Sequence, residues 1–310
     1  MRNGDHALQP VIKWSGSKRK IAPQIARLFP AARNYFEPFV GGGAMLPFKP
    51  CQKAIAGDII PELIELWKTI QHKPDLTAKA YKSRWLRLQN EGHTAYYDIR
   101  SSFNTTRNPH DLLFLSRTCV NGLIRFNQAG NFNNSLHHTR PGIAPTRLRK
   151  IIQQWSLAIQ NIEFVTADYR DTLQLVTGGD LVFLDPPYQG TKGRYLPLNF
   201  SIEEFYSELE RLNSIGAKWI LTFDGQAGKR AYVKDVPPDI YREHFALFTG
   251  NSPFTKLMGL SVDAVVESVY LNFEIPSKLP TQLLYMGKQA SRNTTSANMQ
   301  QGRLFNQVEF

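Results

Sequence analysis

Leu181-Val182-Phe183-Leu184-Asp185-Pro186-Pro187-Tyr188 is a run of four apolar residues followed by a carboxylate, two prolines and an aromatic ring. The apolar run lies between Gly178-Gly179-Asp180 and Gln189-Gly190, and reads as a buried strand that stops abruptly. Neither proline has the backbone N–H that a central strand donates to its neighbour, so the ladder cannot continue past Asp185. Asp185 and Tyr188 are therefore placed on a stiff turn at the carboxyl end of a strand. In open α/β sheets ligands bind along that edge. The turn offers an acceptor-only carboxylate, carbonyl oxygens released from the ladder and an aromatic face. Such a set suits a planar ring bearing an exocyclic amino group. The plainer reading is a strand stop at a surface turn, and the rest of the chain has to decide.

Outward from that strand the pattern is α/β. Upstream, Ile162–Ala167 reads as a strand ending at Asp168-Tyr169. Downstream come a helix over Ile202–Ser214, capped by Ser201, and a strand over Lys218–Phe223 leading into Asp224-Gly225. Tyr241–Phe248 and Val265–Phe273 read as an antiparallel pair of strands, and residues 287–310 as a polar, poorly ordered tail. Near the N-terminus, Val11–Gly16 is extended and then turns. A helix follows over Lys18–Phe29, with Ser17 able to cap it and Pro23 shifting the start toward Ala22. Residues 34–43 read as a strand entering the glycine turn Gly41-Gly42-Gly43, with Ala44-Met45-Leu46 opening the next helix. Glycine lets a ligand approach the backbone where a Cβ would clash. Asp58, sixteen residues after Gly42, ends a second strand over Ala54–Gly57, and a helix follows from Pro61. A carboxylate there can bind both hydroxyls of a ribose. The spacing is not G-x-G-x-x-G, which argues against a dehydrogenase.

Residues 73–155 interrupt this rhythm. Tyr81–Gln89 and Asp111–Val120 have helical spacing, with polar, turn-rich sequence between and after them. Asn121-Gly122 and Ala129-Gly130-Asn131 carry turn chemistry, so Leu123–Phe126 and Asn131–Leu136 read as the arms of a short hairpin. The chain's net charge is +11, and +9 of it falls between Lys79 and Lys150, where 12 Lys and Arg face 3 acids. A basic block with interleaved aromatics is the footprint of a polyanion, against the alternative of a solvated basic face. Asn, Arg and His in the hairpin can reach phosphates or base edges.

Composition bounds the rest. At 42% hydrophobic residues the 310-residue chain is globular and long enough for one large domain or two. Cys51 and Cys119 alone give neither a disulfide framework nor a zinc spacing, and a reducing cytoplasm is expected. No apolar run approaches the roughly 18 residues of a membrane span, and no secretion signal opens the chain.

Asp185-Pro186-Pro187-Tyr188 resembles the catalytic motif of the S-adenosylmethionine-dependent amino-methyltransferases, above all the Dam-type (D12 class, alpha group) DNA adenine-N6 enzymes. Other motifs agree, in the family's order. Lys13-Trp14-Ser15-Gly16-Ser17-Lys18 is similar to the N-terminal Lys-Trp-x-Gly-Gly-Lys motif, Glu37–Gly43 to the cofactor loop, and Gly57-Asp58 to the ribose acid. Asn121–Asn127 and Gly130-Asn131-Phe132-Asn133 resemble the hairpin of the target-recognition domain.

The resemblance implies an α/β fold: a Rossmann-like S-adenosylmethionine-dependent methyltransferase sheet with an inserted, mainly helical target-recognition domain containing a β-hairpin. The expected division is a catalytic domain over 1–72 and 156–276, a DNA-binding domain over 73–155 and a polar tail over 277–310. It implies catalysis by Asp185, Pro186, Pro187 and Tyr188. The cofactor S-adenosyl-L-methionine would be held by Trp14, Lys18, Phe39, Gly41, Gly43, Asp58, Asp168, Tyr169 and Asp185. Double-stranded DNA would be held by Asn121, Arg125, Asn127, Asn133 and Arg140. No metal is expected, and His137-His138 are read as groove or phosphate contacts. The expected enzyme is a cytoplasmic monomer of a restriction-modification system, with a cognate restriction endonuclease as functional partner.

The chain departs from the family pattern at Ser17, at Asn131, where a glutamate is common, and at Val120, where readers of GATC have an aromatic residue, so GATC is not carried over. A cytosine-N4 methyltransferase is the alternative enzyme, although that class more often has serine in place of Asp185. A methylase of RNA or protein amides and a non-catalytic nucleic-acid binding subunit are the remaining readings.

Overall fold

A computed structural model describes residues 7–139, 141–187, 200–227, 230–231, 236–251, 264–275 and 283–285. Two compact units are drawn from Met1–Val176 with Gln189–Ser201, and from Thr177–Tyr188 with Ile202–Phe310.

The first unit opens with a short 3-10 turn, Lys18–Lys20, and helix α1, Ala22–Ala26. Pro23 sits in the first turn of α1, so the helix starts near Ala22, and Ser17 makes no side-chain cap bond. Strand β1, Tyr35–Glu37, and strand β2, Ala54–Asp58, pair in parallel from Tyr35↔Ala54 to Glu37↔Ala56. Between them only a 3-10 turn forms, Leu46–Phe48, in place of the helix expected from Ala44. Pro47, with no N–H to donate, belongs to that turn.

Helix α2, Pro61–His72, has proline in its first turn and buries Leu63, Ile64, Leu66, Trp67 and Ile70. Three helices follow without a strand: α3, Pro74–Glu91; α4, His93–Thr106; and α5, Pro109–Thr118. Helix α4 occupies sequence that reads as polar and turn-rich. It forms because Tyr96, Ile99 and Phe103 fall at helical spacing on one buried face. Helix α5 is capped by Asn108, whose side chain accepts the His110 N–H at 2.9 Å, and every residue from Asp111 to Thr118 is buried. Its acid is matched: Asp111 takes Arg84 Nε and the Ser102 hydroxyl.

Helix α6, Pro145–Ala158, runs past residue 155 and packs on α2 and α3. Strand β3, Ile162–Thr166, returns to β2 in parallel, with Asp58↔Thr166 at the carboxyl end, and leads into helix α7, Tyr169–Gln174. Trp67 lies nearly parallel to Phe164 (6.0 Å, 5°) and against Trp155 (5.0 Å), tying α2 and α6 to β3.

In the second unit the four residues of β4, Leu181–Leu184, are all buried, as a two-sided parallel strand requires. Helix α8, Ile202–Ser214, buries Ile202, Phe205, Leu209 and Leu212, and Phe205 stacks on Phe223 (6.5 Å, 23°) of strand β5, Lys218–Ala227. Strands β4 and β5 are parallel, with Leu184 opposite Leu221. Asp224-Gly225 does not end β5. The register shifts there, between Phe223 and Gly225, and the strand continues to a short return strand β6, Arg230–Ala231. Strand β7, Glu243–Asn251, and strand β8, Ala264–Leu271, form the expected antiparallel pair, with β8 also on β5. Strand β9, Leu283–Tyr285, adds to β7 within sequence read as tail, while residues 287–310 lie outside the described residues. The architecture is mixed α/β, with parallel strands carrying the candidate site. Among the described residues no helix is long and apolar enough to cross a membrane.

Candidate active site and nucleic-acid interface

In the first unit the carboxyl ends of β1, β2 and β3 bring several of the expected cofactor residues together. The glycine turn after β1 is closed by Gly43 N–H to Val40 O (2.7 Å) and joined to β2 by Val40 N–H to Gly57 O (2.8 Å). A Cβ on Gly41 would lie 2.7 Å from Trp14 Nε1, and one on Gly42 3.1 Å from Trp14 Cβ, so the indole rests on the turn itself. Gly41 (φ +44°) and Gly43 (φ +64°) both use backbone angles that favour glycine. A Cβ on Gly43 would meet Trp67 at 2.9 Å, and Trp67 Nε1 donates to Gly41 O at 3.1 Å. Trp67 is thus a support of the turn that its place in an amphipathic helix did not reveal.

Asp58 ends β2 beneath that turn. Its carboxylate accepts the N–H of Gly41 (3.1 Å) and of Ile60 (3.2 Å). Burial pushes the carboxyl up to about 6, against the backbone hydrogen bonds that favour its charge. Lys18 is buried and its Nζ donates to Gly16 O at 3.2 Å. Phe39 stacks on Tyr169 (5.2 Å, 26°), and Phe200, which no sequence motif marks, completes the cluster 5.7 Å from Tyr169. Asp168 caps α7 by accepting the Arg170 N–H (3.0 Å) and also takes Arg170 Nε (2.9 Å). Burial raises its pKa, and the Arg170 bonds outweigh that and hold the carboxyl below its ordinary value.

In the second unit Asp185 follows β4 at the carboxyl end, partly exposed, with Pro186 buried after it. Thr222, fully buried on β5, donates its hydroxyl to Asp185 Oδ1 (3.0 Å) and approaches Leu184 O (3.3 Å). The parallel register explains the meeting, since Leu184 is opposite Leu221. Pro187 is described, whereas Tyr188 lies outside the described residues.

The hairpin lies in the first unit. Asn127 N–H donates to Asn131 O (2.9 Å) and Asn133 N–H to Arg125 O (3.0 Å), on either side of the bridged pair Phe126↔Phe132. Both phenylalanines are buried against Phe103 of α4, at 6.4 and 6.2 Å. Alternation then turns Arg125, Asn127, Asn131 and Asn133 to the other face. Asn127 Oδ1 closes the loop on the Asn131 N–H (2.9 Å), and Arg125 Nε donates to Asn133 Oδ1 (2.9 Å).

Helix α4 holds the hairpin from behind. Asn104 clasps Phe132 by both amide atoms, Oδ1 to its N–H (2.7 Å) and Nδ2 to its carbonyl (3.1 Å). Tyr96 and Arg100 donate to Asn134 O, and Arg107 to Gly130 O. Asn121 is exposed with φ +57°, and Arg140 lies outside the described residues. At the entry, a Cβ on Gly122 would fall 2.5 Å from Lys13 Cδ, so Lys13 packs on the turn.

The segment before Trp14 is fixed through its carbonyls. Arg19 Nε donates to Leu8 O (2.7 Å), Trp155 Nε1 to Gln9 O (2.7 Å), and Arg117 to Pro10 O and to Val11 O (2.7 Å). Among the described residues no group of three His, Cys, Asp or Glu is arranged to hold a metal.

The chain is similar to several curated proteins. It is 31% identical over 241 residues to a "DNA N-6-adenine-methyltransferase" of Escherichia phage P1, covering 73% of this chain and 31% of that protein. It is 31% identical over 218 residues to a "Retron Ec67 DNA adenine methylase" of Escherichia coli, covering 67% and 75%. It is 30% identical over 192 residues to a "Type II methyltransferase M1.LlaDCHI" of Lactococcus lactis subsp. cremoris, covering 58% and 66%. The chain thus spans about a third of the phage protein and about three quarters of the retron protein. A family model matches residues 14–223, from Trp14 through the glycine turn, the hairpin and Asp185 to the end of the β5 core, and the chain belongs to the D12 class N6 adenine-specific DNA methyltransferases.

Proposed function

We propose that the protein transfers a methyl group from S-adenosylmethionine to N6 of an adenine in duplex DNA, at a specific sequence. The observation that carries this reading is Asp185: a carboxylate fixed at the end of a parallel strand by the buried Thr222 hydroxyl and followed at once by two prolines. The adenine amino nitrogen is a poor nucleophile because its lone pair is delocalised into the ring. Asp185, by accepting one N–H, localises that lone pair on nitrogen, and the Pro186 carbonyl accepts the other. Tyr188 supplies the ring on which the base stacks. The base must leave the duplex to reach these groups. The proton that the amino group sheds passes to solvent. The catalysis is positioning and electrostatics.

The first unit fits the cofactor. The glycine turn packs so closely on Trp14 that a Cβ on Gly41 would collide with the indole, and Asp58 beneath it offers acceptor positions for ribose hydroxyls. When bound, S-adenosylmethionine supplies an electrophilic methyl on its sulfonium. Lys18, Phe39, Asp168 and Tyr169 complete the set assigned to it. Residues 73–155 form the target-recognition part, and the polar face of the hairpin, with Asn121, Arg125, Asn127 and Asn133, enters the DNA. Arg125 is the base reader and Arg140 a phosphate contact. As the family resemblance implies, the enzyme works in the cytoplasm beside a restriction endonuclease of the same specificity.

The deciding experiment incubates the purified protein with duplex DNA and methyl-labelled cofactor, then digests the DNA to nucleosides. Label in N6-methyladenine, lost in Asp185→Ala, is the expected result. Label in N4-methylcytosine would move the protein to the alternative enzyme class. Cofactor binding without any transfer would leave a binding subunit.

A further inference from the structure

We propose that Asn133 is a positioning residue for Arg125, holding its two terminal nitrogens toward the DNA as a donor fork that selects a guanine. The inference rests on the reading above, in which the polar face of the hairpin enters the DNA, and adds to it how the base is chosen.

Arg125 and Asn133 are directly opposite one another in the hairpin. The Asn133 N–H bonds the Arg125 carbonyl, and the neighbouring pair Phe126↔Phe132 is turned into the protein. Cross-strand partners on one face are close enough for their side chains to meet. They do so here through Arg125 Nε and Asn133 Oδ1, 2.9 Å apart.

The chemistry of that bond settles both orientations. A guanidinium has only donors, so the atom of the Asn133 amide that faces it is the oxygen, and the amide nitrogen is turned away. Arginine is left with its two terminal nitrogens for the base, a fork matched to O6 and N7 of guanine. Asparagine alone reads adenine by offering one acceptor and one donor. With Oδ1 turned to Arg125, that side-by-side acceptor and donor no longer face one base edge. The Arg125 fork therefore offers two donors and no acceptor. Guanine presents two acceptors in the major groove, whereas adenine presents a donor beside its acceptor. The bond itself is exposed and adds little to stability, so its consequence is geometric.

The hairpin's anchorage makes this geometry reproducible. Asn104 clasps Phe132, the residue before Asn133, and Asn127 closes the loop on the other side. The frame is fixed before any DNA arrives.

The test uses the full-length protein and a duplex library with randomised sequence around adenines. Methylation is read by modified-base sequencing for the wild type and for Arg125→Ala, Asn133→Ala, the double variant and Asn133→Asp. The wild type should require guanine at one position. Arg125→Ala should relax that position by about tenfold to a hundredfold. Asn133→Ala should relax the same position, by less, and the double variant should be no worse than Arg125→Ala. Asn133→Asp keeps an oxygen facing Arg125 and should keep the preference. Unchanged melting temperatures separate these effects from misfolding, with Asn133→Asp as the second probe if Asn133→Ala melts early. If Asn133→Ala leaves the preference intact, or weakens every sequence alike with a shallower salt dependence, Asn133 is a backbone contact and the inference is overturned. If Arg125→Ala itself changes no preference, the reading of the hairpin fails and takes this inference with it.

Discussion

The Gly41 N–H donates to Oδ2 of Asp58 across 3.1 Å, so the glycine turn after one strand is held by the carboxylate that ends the next. Asp58 also carries a pH signature. Its native carboxyl keeps its proton up to about 6, against 3.8 in an ordinary setting. The native state binds more protons between those values, so this group favours the fold at low pH, and the contribution is lost as pH rises through about 6. Thermal melts of wild type and Asp58→Asn across that window should diverge accordingly, with the variant lacking this slope. Binding has the opposite sense. Ribose hydroxyls need the charged acceptor, so cofactor affinity should fall below pH about 6. Asp58→Ala should weaken binding by about 1.5–3 kcal/mol in a calorimetric titration. Unchanged affinity would place the cofactor elsewhere.

Gly41→Ala puts a methyl group where Trp14 Nε1 is 2.7 Å away, at a backbone angle (φ +44°) that side chains resist. The turn or the indole must shift. Cofactor affinity is expected to drop by at least about tenfold, a loss of about 1.4 kcal/mol, while far-ultraviolet circular dichroism stays at wild type. Full affinity in this variant would mean that the turn does not touch the cofactor.

Thr222→Val removes the hydroxyl held by Asp185 at near-constant volume. The carboxylate then loses that hydroxyl's hydrogen bond. We expect kcat to fall by about tenfold, the equivalent of a hydrogen bond to a charged group, with KM for DNA and cofactor close to wild type. Thr222→Ser should recover most of the rate. A Thr222→Val enzyme at wild-type kcat would show that Asp185 needs no such support.

Asn104→Ala opens both bonds to the Phe132 backbone, a buried strand left with an unmet donor and acceptor. Stability should fall by about 1–3 kcal/mol. Sequence preference should loosen while cofactor affinity holds, measured by denaturant titration and by the same sequencing readout. Loss of cofactor binding alongside DNA preference would show that α4 supports more than the hairpin.

Elements with strong local signals were legible from sequence. Helix α8 matches Ile202–Ser214 to the residue, because its four buried apolar residues recur at helical spacing between a serine and a glycine. The stop after Leu184 followed from two prolines. Helix α4 was not legible: three widely spaced apolar residues among serine, threonine and asparagine give a weak stripe, and packing against α3 and α5 decides it. The Leu46 region misled in the other direction, since helix formers there are cut short by Pro47. Sequence motifs mark Trp14, Gly41 and Asp58, which the fold brings together. Trp67, Asn104 and Thr222 carry no such mark, because each acts through a hydrogen bond to a residue at least 26 positions away. No local pattern records such a bond.

The four carbonyls from Leu8 to Val11 are gripped by Arg19 near the start of the chain and by Arg117 and Trp155 on α5 and α6. Lys13, two residues further on, packs against Gly122 at the mouth of the hairpin. Anyone building chimaeras to transplant specificity between relatives would naturally cut out residues 73–155 as a cassette. That cut severs Arg117 and Trp155 from the strap they hold, taking away the grips on Gln9, Pro10 and Val11 and leaving that of Arg19 on Leu8. A transplant that works should carry its donor's first dozen residues with it, so that the exchangeable piece is discontinuous in sequence although it is one body in space.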